Sequence, residues 1–291
     1  MFDIDRWREI FESIRSNLLR TVLSGFTVAL GLFIFIVLFG IGNGLKNAFT
    51  DGFTRDAANL ISIFSGKTTI AYGGLQSDRQ IILKNDDYEQ TVKSDPAKME
   101  SSTPRYSTNM TVKYGKESGS YQITGANPEE VIIENRKLTE GRYLSNRDLS
   151  LKQNVAVIGR MVQRDLIKDG SPVGKDLDIN GTFFKVIGVF SDDGGDFEER
   201  VITVPITTLQ QMKKGSDTVS SIYITYDSKL WPDQAIKYFK KKEKELKAKN
   251  KVSPDDENAI IVRNNAKNMG DTIQFLFIIT LIVGFIGMGT L

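Results

Sequence analysis

Residues 65–68, Ser-Gly-Lys-Thr, form one of two segments whose residue types could perform recognisable binding chemistry. They follow the apolar residues 60–64 and match the last part of a phosphate-binding loop, in which a lysine and a hydroxyl contact phosphate and magnesium. The complete loop also needs a glycine five positions before the Gly-Lys pair, but Ile61 occupies that position. We therefore interpret the segment as a turn at the end of a strand and predict no nucleotide site there.

The second segment is acidic. Residues 192–196, Asp-Asp-Gly-Gly-Asp, offer carboxylates that a calcium ion could use. Their spacing differs from the twelve-residue calcium-binding loop, and no glutamate closes the loop at the required position. Glycine and aspartate are also common in exposed turns. The sequence therefore favours a solvated hairpin loop over a metal site.

The composition excludes several classes of active site. The chain of 291 residues has no histidine and no cysteine, which excludes Ser-His-Asp and Cys-His centres, zinc sites built from these residues, and disulfide bonds. The net charge of +2 gives no reason to expect nucleic acid as a partner. We therefore expect a protein that is not an enzyme and that itself binds no cofactor or metal.

Two stretches without any charged residue, 21–45 and 272–291, lie on either side of a polar middle segment. About 20 helical residues cross a hydrocarbon layer of ~30 Å, so each stretch is long enough to be a transmembrane helix. The alternatives are a buried core helix and, for the first stretch, a cleaved signal peptide. The second stretch reaches Leu291 without a flanking charge, so we expect a truncated span that continues in the native protein.

Basic residues near the first span predict its orientation. Four arginines lie within residues 1–20, whereas only two basic residues follow the span closely. Because positive residues stay on the cytoplasmic side, we predict a cytoplasmic N-terminus and an extracytoplasmic segment at 46–271. Arg263 and Lys267, near the second span, count against this orientation.

The N-terminal residues 1–20 have the pattern of an amphipathic helix, because apolar residues recur at helical spacing among charged ones. Trp7 suits a membrane interface. The helix either lies on the membrane surface or contacts a cytoplasmic partner. The residues assigned to this surface are Arg6, Trp7, Arg8, Phe11 and Arg15.

Both predicted spans contain small residues, which allow helices to approach closely in lipid. We therefore predict that the spans pack against each other or against further helices. The glycines assigned to this packing are Gly40, Gly44, Gly284 and Gly287.

The segment between the spans has the pattern of a mixed α and β domain. Residues 60–64 predict a strand, and Asn85–Lys93 predicts a short helix. Pro232 predicts the start of a longer helix with one apolar face. We expect the charged residues of that helix to form a solvated face. They are Lys237, Lys240, Lys241, Lys242, Glu243 and Lys244.

Short apolar strands separated by glycines follow one another between residues 141 and 190. Gly-Arg-Tyr-Leu-Ser-Asn-Arg-Asp occupies 141–148, Asn-Val-Ala-Val-Ile-Gly occupies 154–159, and Pro-Val-Gly-Lys occupies 172–175. Glycine permits tight turns and close backbone approach at such positions. Asn180-Gly181 between two apolar runs is a strong hairpin signal.

This order of motifs closely resembles the periplasmic core domain of MacB-type permeases of the ABC transporter superfamily. Residues 17–21, Asn-Leu-Leu-Arg-Thr, resemble the entry to the first helix of that family. The motif positions, which we interpret as structural, are Gly141, Asp148, Val155, Gly159, Pro172, Gly174, Lys175, Gly181 and Gly188.

The sequence thus predicts an α+β membrane protein with an N-terminal amphipathic helix and two transmembrane helices, the second truncated, that bracket a mixed α/β extracytoplasmic domain. The resemblance implies a permease half with four membrane helices, in which the extracytoplasmic domain lies between the first and the second. It also implies that this domain has a β-rich inserted subdomain. The expected divisions are a cytoplasmic helix at 1–20, spans at 21–45 and 272–291, an α/β subdomain at 46–134 plus 219–271, and the insert at 135–218.

The function implied by the resemblance is that of a non-catalytic permease subunit in a bacterial inner membrane. Such a subunit couples cytoplasmic ATP hydrolysis to movement of a periplasmic domain, in export, lipoprotein release or a related process. ATP and magnesium would bind to a separate ABC ATPase subunit dimer. A second permease copy or a related permease, and a periplasmic adaptor, are the further expected partners.

Two other functions fit the same pattern of spans. One is a two-span membrane sensor whose extracytoplasmic domain binds a ligand. The other is an anchored binding or scaffold protein without energy coupling. Two further spans after Leu291 would favour the permease, whereas a kinase-like soluble domain there would favour the sensor.

Overall fold

The computed structural model describes residues 15, 17–53, 59–93, 99–226 and 232–264, and residues 274, 275, 278, 279 and 282. The chain divides into two compact units. The first unit comprises Met1–Asp51 and Met269–Leu291, and the second comprises Gly52–Asn268. Each unit is described by itself below.

The first unit is dominated by one helix, α1 (Leu18–Phe53), which has 36 residues. It contains the whole of the predicted span at 21–45 and extends past it at both ends. Large apolar side chains on it are exposed, among them Leu19 and Phe26. Among the described residues, no helix is both long enough and apolar enough to cross a membrane. The two spans and the amphipathic helix therefore stay predictions.

Among the described residues, the strands and six further helices lie in the second unit. The strands are β1 (Leu60–Ser65), β2 (Leu83–Lys84), β3 (Met99–Tyr114), β4 (Glu117–Ala126), β5 (Lys137–Gly141), β6 (Val155–Gly159), β7 (Asp176–Ile179), β8 (Thr182–Ser191), β9 (Val201–Pro205), β10 (Thr218–Val219), β11 (Ser221–Tyr226) and β12 (Ile260–Asn264). The helices are α2 (Asn85–Lys93), α3 (Glu130–Ile133), α4 (Asn146–Ser150), α5 (Arg160–Leu166), α6 (Ile206–Met212) and α7 (Pro232–Lys249), with a 3₁₀ turn at Glu198–Arg200.

Ten of the strands form one sheet in the order β12-β1-β11-β3-β4-β9-β6-β8-β5, with β7 paired to β3 and β8. The pairs β4–β9 and β6–β8 are parallel, and the other pairs are antiparallel. The long strand β3 joins the two parts of the sheet, because its first half pairs with β11 and its second half pairs with β4. The second unit is therefore a mixed α/β domain, as the sequence predicted.

One hydrophobic core lies beside α7, where the apolar faces of β1, β11 and β12 meet the helix. Its large members are Ile61, Ile63, Leu83, Ile222, Ile224, Phe239, Leu246 and Ile260. Thr225 of β11 is also buried, and its hydroxyl accepts a hydrogen bond from the amide of Ser101 at 3.0 Å.

The other part of the sheet is buried on both faces. Alternate residues of β6 belong to different cores, with Ile158 on one face and Val157 on the other, as expected for a strand covered on both sides. The core that contains Ile158 also includes Met110 of β3 and Tyr121 of β4. This core therefore contains residues from both sides of residue 134, the expected boundary between the two subdomains. The subdomain assignment itself stays a prediction.

Several local predictions are confirmed. Helix α2 has the predicted bounds, Asn85–Lys93, and α7 begins at Pro232. The Asn180-Gly181 turn joins β7 to β8, with Ile179 paired to Thr182 and φ values of 51° and 87° at the two turn residues.

One expectation about exposure and one about a hairpin were wrong. Lys242, assigned to the solvated face of α7, is 7% exposed, because its ammonium group lies 2.7 Å from the Glu245 carboxylate and 5.7 Å from the centre of the Tyr238 ring. Residues 192–196 do not form a hairpin loop, because β6 lies between β8 and β9. Asp193, Gly195 and Asp196 are exposed as predicted, whereas the side chain of Asp192 is only 6% exposed.

Candidate functional site

Two motif glycines, Gly141 at the end of β5 and Gly188 in β8, allow the backbones of these strands to come into close contact. Gly141 has a φ of 74°, and a β-carbon built on it would lie 2.2 Å from the carbonyl oxygen of Ile187. A β-carbon on Gly188 would lie 2.3 Å from the carbonyl oxygen of Arg142. Both distances are shorter than any real contact between these atoms. Strand β5 can therefore approach β8 only because both crossing positions lack side chains.

Gly159, at the end of β6, makes a similar approach to the 3₁₀ turn. A β-carbon there would lie 2.1 Å from the carbonyl oxygen of Glu199. This approach buries the Glu199 side chain, whose carboxylate receives hydrogen bonds from the Asp192 amide at 3.1 Å and from Arg160 Nε at 3.0 Å. The glycine thus holds the acidic 192–199 segment against the start of α5.

The Pro172–Lys175 motif forms a turn that is fixed against β8. The Lys175 amide donates to the Pro172 carbonyl at 3.1 Å, and the Gly174 amide donates to the Val186 carbonyl at 2.8 Å. Gly174 has a φ of 88°, and no atom lies within 4 Å of a β-carbon built there. Glycine is therefore favoured at position 174 by the backbone conformation, and not by a lack of space for a side chain.

Asp148 caps α4 in a capping box with Ser145, whose amide and hydroxyl both donate to the Asp148 carboxylate at 2.8 and 2.7 Å. Arg142 donates to both oxygens of that carboxylate at 2.7 and 3.0 Å. The hydrogen bond from Arg142, with those from Ser145, outweighs the opposing effect of burial and lowers the pKa of Asp148 to about 2. Val155 begins β6 in the adjacent core.

A buried charge network that was not predicted from the sequence lies where β3, α3 and the start of β5 meet. Glu130 of α3 lies at its centre and is fully buried. Its two carboxylate oxygens lie 3.3 Å from Arg105 Nε and 3.4 Å from Arg136 Nη1. The Tyr143 hydroxyl donates to Glu130 at 2.9 Å. We name Arg105, Glu130, Glu134, Arg136 and Tyr143 the buried charge network.

Further contacts link the network to both parts of the sheet. Arg105 Nη1 donates to Glu134 at 2.6 Å, and the Arg105 guanidinium lies 4.6 Å from the centre of the Tyr223 ring on β11. Arg136 Nη1 donates to the Thr203 hydroxyl on β9 at 2.8 Å. Asp192 also faces the network, because its carboxylate lies 3.8 Å from Arg136 Nε.

Electrostatics within the network keep both arginines charged. Burial alone would lower the pKa of Arg105, but the charges of Glu134 and Glu130 outweigh it and raise that pKa above its ordinary value. The pKa of Arg136 is raised in the same way, with Glu130 as the main opposing charge to burial. Burial and the Glu130 charge both raise the pKa of the Tyr143 hydroxyl, which therefore remains protonated.

A surface cavity of about 260 Å³ lies between α2, the start of β3 and the loop before α3. Polar groups line most of it, including the Tyr88 hydroxyl, which shares a hydrogen bond of 3.0 Å with the Ser102 hydroxyl. Burial raises the pKa of Tyr88. Within the described parts of the chain, no group of acidic side chains is arranged to hold a metal ion.

Comparison with known proteins identifies the family. The model of the MacB-like periplasmic core domain matches residues 21–242. The chain belongs to this family.

The most similar curated relatives include macrolide export ATP-binding/permease proteins MacB. The protein from Chlorobium phaeobacteroides is 25% identical over 221 residues, which cover 74% of this chain and 33% of that protein. The protein from Wolinella succinogenes is 26% identical over 221 residues. An uncharacterized ABC transporter permease, YvrN of Bacillus subtilis, is 26% identical over 77% of this chain and 57% of its own length. The chain thus spans about a third of the MacB proteins that it matches.

Two solved structures share the fold of the MacB-like core domain. The periplasmic region of MacB from Actinobacillus actinomycetemcomitans aligns with a TM-score of 0.61 and 22% identity, over 76% of this chain and 95% of that one. The extracellular domain of the noncanonic ABC-type transporter YknZ from Gram-positive bacteria aligns with a TM-score of 0.58 and 18% identity, over 71% of this chain and all of that one.

Within this MacB-like fold, the nine motif positions lie in the second unit, on or beside β5–β8 and α4. The positions assigned to the amphipathic helix and to helix packing stay predictions. Arg15 is exposed, and no atom lies within 4 Å of a β-carbon built on Gly40 or Gly44 among the described residues. The remaining predicted positions lie outside the described residues. They are Arg6, Trp7, Arg8, Phe11, Gly284 and Gly287.

Proposed function

We propose that the chain is part of the permease subunit of a MacB-like ABC transporter and couples ATP hydrolysis in the cytoplasm to movement of the second unit outside it. The observation that carries this proposal is the family match over residues 21–242, which includes the first uncharged stretch as well as the mixed α/β domain. Export, lipoprotein release and related mechanical work are all compatible with such coupling.

Features of the first unit support a membrane location. Residues 21–45 contain no charge, and large apolar side chains of α1 are exposed to solvent in the isolated chain. An exposed apolar surface of this kind calls for a membrane or a partner. The arginines of residues 1–20 favour a cytoplasmic N-terminus in a bacterial inner membrane, with residues 46–271 on the outer side.

The sheet topology supports a mechanical role. Strands β1 and β12 are antiparallel neighbours, and Ile61 at the start of β1 pairs with Asn264 at the end of β12. The two connections to the predicted spans therefore leave from the same end of adjacent strands. Movement of either span would act directly on the sheet, which continues without a break in pairing to β5.

We expect ATP and magnesium to bind to a separate ABC ATPase subunit, because the resemblance to MacB-type permeases implies a cytoplasmic ATPase. We expect a dimer of that ATPase, a second permease copy or a related permease, and a periplasmic adaptor as partners. The buried charge network would keep the two parts of the sheet together during movement, because it contacts strands in both.

ATP turnover in a reconstituted complex tests this function. The full-length native protein, purified from membranes, is expected to retain a cytoplasmic ABC ATPase and to change its rate of ATP hydrolysis in proteoliposomes. The ATPase alone is the control. If the full-length protein neither binds an ABC ATPase nor changes its turnover, the permease function is wrong, and the two-span sensor becomes the better interpretation.

A further inference from the structure

The surface cavity between α2, the start of β3 and the loop before α3 has no role in the proposed function. Its volume of about 260 Å³ would hold about nine water molecules, at ~30 Å³ for each in the liquid. Pockets for drug-sized ligands begin at about 300 Å³ and are mostly apolar. The size of this cavity therefore suits a small polar solute of about seven to ten non-hydrogen atoms.

Glu129 brings a carboxylate into the lining of the cavity, directly before α3. Its backbone is fixed, because its carbonyl accepts hydrogen bonds from the amides of Ile132 and Ile133, both at 3.1 Å. The residue is half-buried. Within the described ranges, no hydrogen bond or ion pair reaches its carboxylate. A carboxylate that has lost part of its hydration is stabilised by a cation that enters beside it.

Neutral hydrogen-bonding groups lie beside this carboxylate in the lining. The hydroxyls of Tyr88 and Ser102 are 3.0 Å apart. Burial, with a smaller contribution from the Glu129 charge, raises the pKa of Tyr88, so its hydroxyl stays protonated and can donate. Asn127 is held against β3, because its backbone amide donates to the Thr103 hydroxyl at 2.9 Å. The cavity therefore offers both donors and acceptors to a polar ligand.

The charge of the lining favours a cation. Among the described residues that line the cavity there is no lysine or arginine. Glu100 adds a second carboxylate, which accepts a hydrogen bond from the Asn59 side chain at 3.1 Å. Val92 and Met99 add two half-buried apolar side chains. An anion would therefore be repelled, whereas a cation with a short hydrocarbon part would find a partner for each of its parts.

From this size, charge and lining, we propose that the cavity binds a small organic cation with a primary ammonium group and a hydroxyl group. The ammonium group donates to the Glu129 carboxylate, and the hydrocarbon part contacts Val92 and Met99. The hydroxyl group exchanges hydrogen bonds with Ser102 or Asn127. All of these residues belong to the second unit. The proposal therefore goes beyond the proposed function and does not depend on it.

A fluorine label on Tyr88 reports directly on the cavity. The full chain is produced with fluorotyrosine, and Tyr88→Phe identifies the fluorine NMR signal of Tyr88 among those of the nine tyrosines. The probe is 6-aminohexanol, which falls within the expected size range. We expect it to shift the Tyr88 signal in a saturable way, with a Kd of about 1 mM, as for a weakly bound small ligand.

Two solutes of the same chain length isolate the role of charge. Hexane-1,6-diol replaces the ammonium group by a hydroxyl, and 6-hydroxyhexanoate replaces it by a carboxylate. Both are expected to bind at least about tenfold more weakly than 6-aminohexanol, because neither can form the charge-assisted hydrogen bond to Glu129. Equal affinity for the three solutes, or no saturable shift with 6-aminohexanol, would overturn the proposal.

A charge-matched pair of variants identifies the carboxylate. Glu129→Gln keeps the shape of the side chain and is expected to weaken binding of 6-aminohexanol about tenfold or more. Glu117→Gln removes the same charge from an exposed position that does not line the cavity and is expected to leave the affinity unchanged. An unchanged Tyr88 signal without ligand shows that each variant keeps the folded cavity. Unchanged affinity in Glu129→Gln, or an equal loss in both variants, contradicts the proposal.

The outcome is separate from that of the proposed function. Binding is measured on the chain alone, without an ATPase, so a failure here leaves the effect on ATP turnover untouched. Conversely, a chain that binds 6-aminohexanol through Glu129 but does not change ATP turnover supports the cation site and contradicts only the permease function.

Discussion

Replacing Glu130 by alanine is expected to lower the free energy of unfolding by about 3–5 kcal/mol, because it leaves two buried arginines without their shared counterion. Glu130 is fully buried and faces Arg105 and Arg136 at 3.3 and 3.4 Å. The change also removes the acceptor of the Tyr143 hydroxyl. Chemical denaturation of the wild-type and variant chains measures the difference.

An exposed ion pair provides the control for this substitution. Glu117 lies 2.7 Å from Lys168, and the two side chains are 44% and 59% exposed. Glu117→Ala removes the same charge but is expected to cost no more than about 1 kcal/mol. If both substitutions change stability equally, the network does not stabilise the junction between the two parts of the sheet.

Alanine at Gly141 is expected to destabilise the domain by about 2–5 kcal/mol. The methyl group would meet the carbonyl oxygen of Ile187 at 2.2 Å, and the backbone φ of 74° is itself unfavourable for alanine. Overpacking and backbone strain each cost about 1–3 kcal/mol. Comparison of denaturation midpoints and slopes with those of the wild type gives the loss.

Gly174→Ala separates the two contributions. Gly174 has a similar φ of 88°, but a methyl group there would meet nothing within 4 Å. Its substitution should therefore cost only the backbone part, about 1–2 kcal/mol. Equal losses at Gly141 and Gly174 would contradict the steric explanation for the crossing of β5 and β8.

Local patterns allowed prediction of the elements that depend on neighbouring residues. Helix α2, the start of α7 at Pro232 and the Asn180-Gly181 hairpin follow from helix signals and turn chemistry within a few residues. The first half of β3 was not predicted, because its polar sequence and Pro104 hide a strand whose partner, β11, lies more than 100 residues away.

The buried charge network could not be predicted for a related reason. A charged residue in sequence is normally exposed, and Arg105 and Glu130 are separated by 25 positions with no motif that connects them. The burial of Lys242 was not predicted either, although its contacts lie within a single helix. Helical spacing alone did not reveal that its pairing with Glu245 and its contact with Tyr238 bury it.

Cysteine labelling tests most directly the central claim, that residues 46–271 lie outside the cytoplasm in a MacB-like permease. The chain has no cysteine, so single cysteines at the exposed positions Arg15 and Lys152 give unambiguous signals. In intact spheroplasts, a membrane-impermeant maleimide is expected to label Lys152→Cys and to leave Arg15→Cys unlabelled until the membrane is permeabilised. Labelling of Lys152→Cys only after permeabilisation would contradict the account.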